Sequence, residues 1–592
     1  MSIYDERIKT LQGLMKKANL SAFIVPSADI HFNEYLPECF MDRAFMSGFT
    51  GSAGTLIVLE NEAHLFTDGR YWLQAEKELS QSAITLQKQT KEHTYPKFLI
   101  QKLKKGSFVG INSKNLSMNS AKELKKVFKS ANLKLKFADL LAMIFNPRPA
   151  LPKHLIFEHK NVFTGTNSKN KLKALRQKMS EKNASYHFIS SLDDIAWITN
   201  LRGLDIAYNP VFLSFLLLSF DKALLFVNRA KLKPNLALKL EKQGFTLYEY
   251  EEVESILRQL KKEKILLDTQ KTSIYFAKIL KKHNKIIKAT NPSTLLKAHK
   301  NAKELKNIKN AMIADALSLC EFFAWFEKAV KKGLDELDID EKLSAFRAKH
   351  PLYLCNSFAT IAGFNANAAI IHYQATAQNH AKIQGNGLLL IDSGAQYQNG
   401  TTDITRVVGV GELNQAQKRD YTLVLKALIA LSRAKFPKNT ALSSLDSLAR
   451  ANLWQEGLEY MHGTGHGVGY FLNVHEAPIS ISSFSNAHNK AEIGIISSIE
   501  PGIYRKDKWG IRLENLVVIV LAKTKERDFG EFLRFETLTL CPFERSLIDL
   551  TLLDSKEKAW LNAYHQKILK TLSPKLKGEA LQWLVEKCAK LI

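Results

Sequence analysis

The sequence predicts a protein of α/β plus α+β class, in which two related α/β domains precede a larger mixed domain. Three observations carry this. One order of helix and strand words occurs twice in the first half, two proline-bearing breaks divide the chain, and beyond the second a long amphipathic helix opens a region of alternating apolar strands and helices. The length fits: 592 residues, 45% hydrophobic and 24% charged, suffice for several packed cores.

Residues 11–68 read as a helix, the strand SAFIVPS, a polar stretch ending in SGFTG, and the strands GTLIVLE and AHLFTD. Residues 175–228 repeat that order with LRQKMSEKNASYHFISS, a stretch ending in TNLRG, VFLSFLLLS and KALLFVN. Between them NPRPALPKH, from Asn146, places three prolines in seven residues and interrupts any regular element. TNPST at Thr290 is the second break. After it Leu305, Ile308, Met312, Ala316, Leu319, Phe323, Phe326 and Val330 follow at alternating steps of three and four, the stripe of one long helix packed on a large core. Strands such as GLLLIDSGAQY and IRLENLVVIV then alternate with helices such as Lys418 to Ala434. KAWLNAYHQKIL and ALQWLVEKCAKLI read as two amphipathic helices that cover a domain or meet a partner chain. The expected domains are residues 1–148, 149–297 and 298–592, with 545–592 a helical extension of the third.

Composition narrows the setting. MSIYDERIKTLQGL carries Asp5 and Glu6 and lacks the uninterrupted apolar run of a signal peptide. The longest apolar run, VFLSFLLLSF, ends at Asp221 after ten residues, half of what a bilayer span needs, so no membrane association is expected. Five cysteines are scattered without a CxxC or a regular framework, which fits reduced thiols in the cytoplasm. The formal charge of +26 raises nucleic-acid binding as a rival, but no zinc-knuckle, helix-turn-helix or RNP-type signature accompanies the lysine runs. Solvated basic faces account for the charge, and specific nucleic-acid binding is not expected.

The chemistry concentrates in the third domain. In LLLIDSGAQYQNGTTDITRVV an apolar strand delivers Asp392, Asn399-Gly400 supplies a turn, and a second strand opens with Asp403. Asp392 follows four apolar residues, a costly place for a carboxylate without a cation. A tight turn at Asn399-Gly400 sets Asp403 opposite Gln396, about 13 Å from Asp392 at about 3.3 Å per residue, so a shared site requires a bulge or a wider loop. IGIISSIEPGIY places Glu500, and WGIRLENLVVIV places Glu514, in similar apolar surroundings. Four anions in one core call for a polycationic centre. HGTGHGVGYFLNVHE, residues 462–476, adds His462, His466 and His475 among four glycines, and AAIIHYQA adds His372. The glycines disfavour a zincin-type helix and let backbone approach a metal or substrate closely. One histidine is read as a ligand, the others as neighbours of the ligands or of substrate. Four carboxylates and one imidazole make a hard, oxygen-rich site suited to Mn²⁺ rather than to a structural Zn²⁺.

These words together (DSGAQY, GTTDITR, HGTGHGVG, EPGIY, GIRLEN) resemble the pita-bread metallopeptidases of family M24B. With YLPECFMDRAFMSGFTGSAGTLIV, TDGRYWLQA, SLDDIAWITNLRG and DSKEKAWLNAYH, the likeness extends over nearly the whole chain to the long, three-domain cytosolic Xaa-Pro aminopeptidases. The resemblance implies two creatinase-like α/β domains before a pita-bread catalytic domain. It implies a pair of divalent metals, expected to be Mn²⁺, with Asp392 on one, His466 and Glu500 on the other, and Asp403 and Glu514 bridging. Glu500 is then also the general base, His372, His462 and His475 are substrate-side groups, and Tyr504 and Arg512 lie beside the ligands. The implied reaction is hydrolysis of the N-terminal Xaa-Pro bond by a hydroxide that the metals activate, in a cytoplasmic enzyme that dimerises through its C-terminal domain. AGFNANAAIIHY, before His372, departs from the serine- and proline-rich stretch expected in animal relatives and bears on the subsites. The alternatives are a prolidase-like Xaa-Pro dipeptidase, disfavoured by the extra N-terminal domains, and a non-catalytic pita-bread binding module, disfavoured because all five ligands are present.

Overall fold

The repeated strand words fold into two six-stranded sheets of the same topology. In space the first runs Ile84–Lys88, Ala63–Thr67, Thr55–Leu59, Ala22–Pro26, Phe108–Ile111 and Lys134–Phe137. The second runs Thr246–Tyr248, Ala223–Val227, Ser214–Ser219, Tyr186–Ile189, Lys264–Leu267 and Lys285–Lys288. In each, the earliest strand pairs antiparallel with the second and parallel with the fifth. The period of two decides what packs where. Phe23 and Val25 meet Ile8, Leu11 and Met15 of the helix Ile3–Lys17. Ala22 and Ile24 meet Phe98 and Leu99 of Tyr95–Lys102 and Leu124 and Phe128 of Met118–Ser130 on the opposite face. Both sheets are α/β layers of the kind the repeat predicts.

The computed structural model describes residues 2–484, 489–526 and 528–591. The sheets belong to one unit, Met1–Asn161 with Thr166–Thr294, and the remainder, Val162–Gly165 with Leu295–Ile592, forms a second. The predicted helix spans Ala302–Ala329, capped by Asn301, whose side chain accepts from the Lys303 and Glu304 amides. It buries Ile308, Met312, Ala316, Leu319, Phe323 and Phe326. The last two helices, Ser555–Leu572 and Gly578–Lys587, lay Leu561, Ile568, Leu572, Trp583 and Leu584 into the same core, where Trp583 stacks on Phe323 at 5.5 Å. They thus cover their own domain. Among the described residues no helix is long and apolar enough to cross a membrane.

Strands read as continuous in the sequence are interrupted at the acids. Glu500 lies between Ile496–Ile499 and Gly502–Arg505, and Glu514 between Trp509–Arg512 and Asn515–Leu521. Asp403 lies between Gly400–Thr401 and Ile404–Val410, and Asp392 stands two residues before the break at Gly394. The hairpin needs neither bulge nor wide loop. Gln396 pairs with Thr401 and Tyr397 with Gly400, so the turn is Gln398-Asn399, one residue earlier than its sequence suggests. The same register continues to Asp392↔Thr405. Asp403 therefore comes opposite Gly394, on the face that carries Asp392 and about 6.6 Å along the strand. A Cβ at Gly394 would fall 2.1 Å from the Thr402 carbonyl, which is why only glycine fits at this crossing.

Two buried histidines tie the fold to pH. Burial pushes His187, in the second sheet, down to about 4, and His565, which accepts from the Phe543 amide, down to about 3. Both are neutral when folded at pH 7. The unfolded chain takes up their protons from about pH 6.5 downward, so stability is full above that pH and is lost as pH falls toward 4, by on the order of 3 kcal/mol for each. Thermal unfolding midpoints between pH 7.5 and 4.5 are expected to decline accordingly, and less steeply in His187→Asn.

Candidate metal centre

Asp403, His466 and Glu514 present ligand atoms that all lie within 4.8 Å of one another. His466 Nε2 is 3.4 Å from Asp403 Oδ2 and 3.4 Å from Glu500 Oε1. Its Nδ1 donates to the Gly467 carbonyl at 3.0 Å, which directs Nε2 to the carboxylates. The strand Gly465–Gly467 reaches this position because it has no side chains on either flank of the histidine. A Cβ at Gly465 would fall 2.0 Å from the Ser498 carbonyl, and one at Gly467 would fall 2.4 Å from that of Glu476. Asp392 joins from the neighbouring sheet, where Arg512 Nη2 donates to its Oδ2 at 2.6 Å.

The electrostatics are those of a site short of positive charge. Burial pushes Asp392 up to about 6, with Arg512 opposing and Asp403 adding to the rise. Burial and the charges of Asp403, Glu500 and Asp392 hold Glu514 far above the carboxylate range. Burial disfavours the charged ring of His466, but the hydrogen bond to Asp403 and the charges of Glu500 and Asp403 lift it to about 9. Asp392 Oδ1 and Glu514 Oε1 are buried and accept no hydrogen bond among the described residues. Two such oxygens in a ring of four carboxylates and one imidazole fit a pair of hard dications.

The other predicted residues surround this ring. Arg512 Nη1 donates to Tyr504 Oη at 2.8 Å, and Tyr504 donates to His462 Nε2 at 2.8 Å, since His462 Nδ1 donates to the Gly463 carbonyl. His475 stands edge-on to His466, with ring centres 4.3 Å apart. His372 follows Ile371, whose carbonyl accepts from Arg512 Nη1 at 3.4 Å. Two supporting residues escape the sequence reading. Thr405 donates to Glu514 Oε2 at 3.0 Å and accepts from Arg512 Nε at 3.2 Å. Ser498 donates to Glu500 Oε1 at 3.1 Å and accepts from the His466 amide at 2.9 Å. The only signal for Ser498 is a polar pair inside the apolar word IGIISSIE; Thr405 looks like any strand threonine.

Comparison with known proteins bears on this geometry. Residues 306–520 match metallopeptidase family M24 and 531–591 its C-terminal region, while 7–144 and 147–304 each match a creatinase/prolidase N-terminal domain. A probable Xaa-Pro aminopeptidase P of Laccaria bicolor is 38% identical, covering 99% of this chain and 93% of the relative. Xaa-Pro aminopeptidase 1 of Dictyostelium discoideum is 38% identical over 98% and 95%.

The chain belongs to the Xaa-Pro aminopeptidases of metallopeptidase family M24.

A crystal structure of an X-prolyl aminopeptidase from Caenorhabditis elegans, described as a cytosolic enzyme with a di-nuclear active site, superposes with a TM-score of 0.95 over all of both chains at 32% identity. An Xaa-Pro dipeptidase from Bacillus anthracis, 21% identical, shares the fold over 64% of this chain at a TM-score of 0.50. The Xaa-Pro aminopeptidase fold, two creatinase N-terminal domains and an M24 domain, is thus the one the sequence predicts.

Proposed function

We propose that this chain removes the first residue from peptides with proline in second position, using two divalent metals held by Asp392, Asp403, His466, Glu500 and Glu514. The observation that carries the reading is the pair of buried carboxylate oxygens on Asp392 and Glu514 that accept no hydrogen bond among the described residues, beside the cluster of Asp403, His466 and Glu514 and with Glu500 3.4 Å from His466. Asp392 would help hold one metal, His466 and Glu500 the other, and Asp403 and Glu514 would contribute to both. When bound, the dications activate water as a nucleophile and polarise the scissile carbonyl. Glu500 would serve as the general base toward the attacking water. The scissile nitrogen of an Xaa-Pro bond has no hydrogen, so the leaving secondary amine of proline must receive a proton, and His372 and His475 stabilise the tetrahedral intermediate. Arg512 holds Asp392 ionised and, through Tyr504, orients His462 toward substrate. Mn²⁺ suits the hard donor set. The cytoplasm fits the scattered thiols, and the C. elegans relative described as cytosolic supports that setting. A homodimer through the catalytic domain belongs to the same reading; light scattering is expected to give twice the chain mass.

The test uses metal-stripped full-length protein with Arg-Pro-Pro-Gly-Phe, the dipeptide Arg-Pro and a peptide lacking proline in second position. Free arginine released from the pentapeptide, only with Mn²⁺ and not from the third peptide, supports the reading. Cleavage of Arg-Pro alone would establish a dipeptidase instead.

Metal uptake should also release protons. Without metal, His466 at about 9 holds a proton at pH 7, and burial and the neighbouring acids shift Glu514 in the same sense. Ligation requires them deprotonated, so Mn²⁺ affinity is expected to rise from pH 6 toward 9. Calorimetry in two buffers of different ionisation enthalpy checks this by the protons released per metal.

A further inference from the structure

Glu336 is a buried acid of the catalytic domain that hydrogen-bonds to none of the five ring residues. It is 1% exposed, at the first position of the helix Glu336–Ala348. A carboxylate so placed needs cations or several donors. It finds donors, and all of them come from one stretch of chain. The Phe364 amide donates to Oε1 at 2.7 Å, the Asn367 amide group to both oxygens at 3.0 Å, and Tyr373 Oη and the Ala381 amide to Oε2 at 2.7 Å each. The Glu336 amide donates back to the Ala381 carbonyl at 3.1 Å. One carboxylate therefore ties the beginning, middle and end of the loop 364–381 together.

His372 lies in that loop, between two anchored residues. Tyr373 is 2% exposed, and its hydroxyl meets Glu336 and Asn367; the Ile371 carbonyl meets Arg512. The loop is otherwise mostly irregular, with a 3-10 turn at Asn365–Ala369 and exposed residues at 374 and 376–378. That turn packs so tightly that a Cβ at Gly510 would fall 1.8 Å from the Ala368 carbonyl. The segment AGFNANAAIIHY, unusual against the expected family pattern, is thus the part that supplies Asn367 to the knot.

We propose that Glu336 is the positioning residue for His372, fixing the histidine at the active site by gathering its loop around one buried carboxylate. This rests on the reading of His372 as a substrate-facing group. Glu336 touches no reacting atom. Its contribution is geometric, and a displacement of about 1 Å at a catalytic group can cost about a hundredfold in rate.

The near-isosteric Glu336→Gln is the sharpest probe. Whichever oxygen becomes the amide, its hydrogens face a backbone N–H, that of Phe364 or of Ala381, so neither orientation restores the knot. With Mn²⁺-loaded full-length protein and Arg-Pro-Pro-Gly-Phe, kcat is expected to fall about 10- to 100-fold with KM within a factor of two and the metal content unchanged. In a His372→Ala background the same change is expected to add less than a factor of about three, because the group it positions is gone. A role in fold stability alone would instead multiply the two losses, which overturns the proposal, as does an unchanged kcat in Glu336→Gln when His372→Ala is slow. If His372→Ala is itself harmless, the substrate-side reading of His372 fails and the proposal falls with it, a result distinguishable from the previous one. Should Glu336→Gln not fold by circular dichroism, Tyr373→Phe, which removes one hydroxyl, enters the same cycle with the same criteria.

Discussion

Asp403→Ala is expected to reduce release of arginine from Arg-Pro-Pro-Gly-Phe by at least about a thousandfold and to lower the metal bound per chain from two toward one or none. The reason is position. Asp403 lies within reach of His466 and Glu514, and its charge raises both Asp392 and Glu514. Removing it takes away one ligand and relieves the remaining acids of a repulsive neighbour. The variant is therefore expected to be as stable as the parent without metal, or more so, while losing activity. Elemental analysis beside a thermal melt separates that outcome from simple misfolding, which would lower both.

Arg512→Met is expected to act in the opposite sense on stability. The guanidinium is buried and donates to Asp392, Tyr504 and Thr405. Without it Asp392 loses the cation that donates to it in the metal-free chain, and breaking such a buried pair typically costs about 3–5 kcal/mol. Metal loading supplies the missing charge, so the rise in melting temperature on adding Mn²⁺ is expected to be larger in Arg512→Met than in the parent. Activity should fall as well, because Tyr504 and His462 lose the donor that orients them. Equal metal-induced shifts in the two proteins would show that Asp392 does not depend on Arg512 for its charge.

How much of this was legible in the sequence follows from where the constraint lies. The two α/β sheets were readable because their strands are short apolar words in a repeated order. The long helix was readable because Ile308 through Phe326 keep a helical period against one core. The ligand candidates stood out because an acid inside an apolar word is costly, and each of those words holds one. The strand breaks did not stand out. Glu500 and Glu514 lie inside runs that satisfy a strand pattern on both sides, and only the tertiary course of the chain shows that the pairing partner changes there. The sequence points to a turn one residue late because Asn-Gly is the commoner turn pair, whereas here the glycine opens the returning strand and pairs with Tyr397. Glu336 is invisible for a different reason: at a helix start after Asp335 it looks like a solvated capping acid, and its four donors, which make five hydrogen bonds, come from residues 28 to 45 positions away.

The glycines beside His466 also bear on how this chain can change over time. At Gly465 and Gly467 the obstacle to any side chain is a carbonyl of the neighbouring strand, which no rotamer can move aside. Accepting even alanine there would require the sheet to part at the histidine. Mutational drift is thus barred at the two positions flanking His466, while the many surface lysines are open to it, so the chain can alter its charge and outer surface widely without the metal ring shifting.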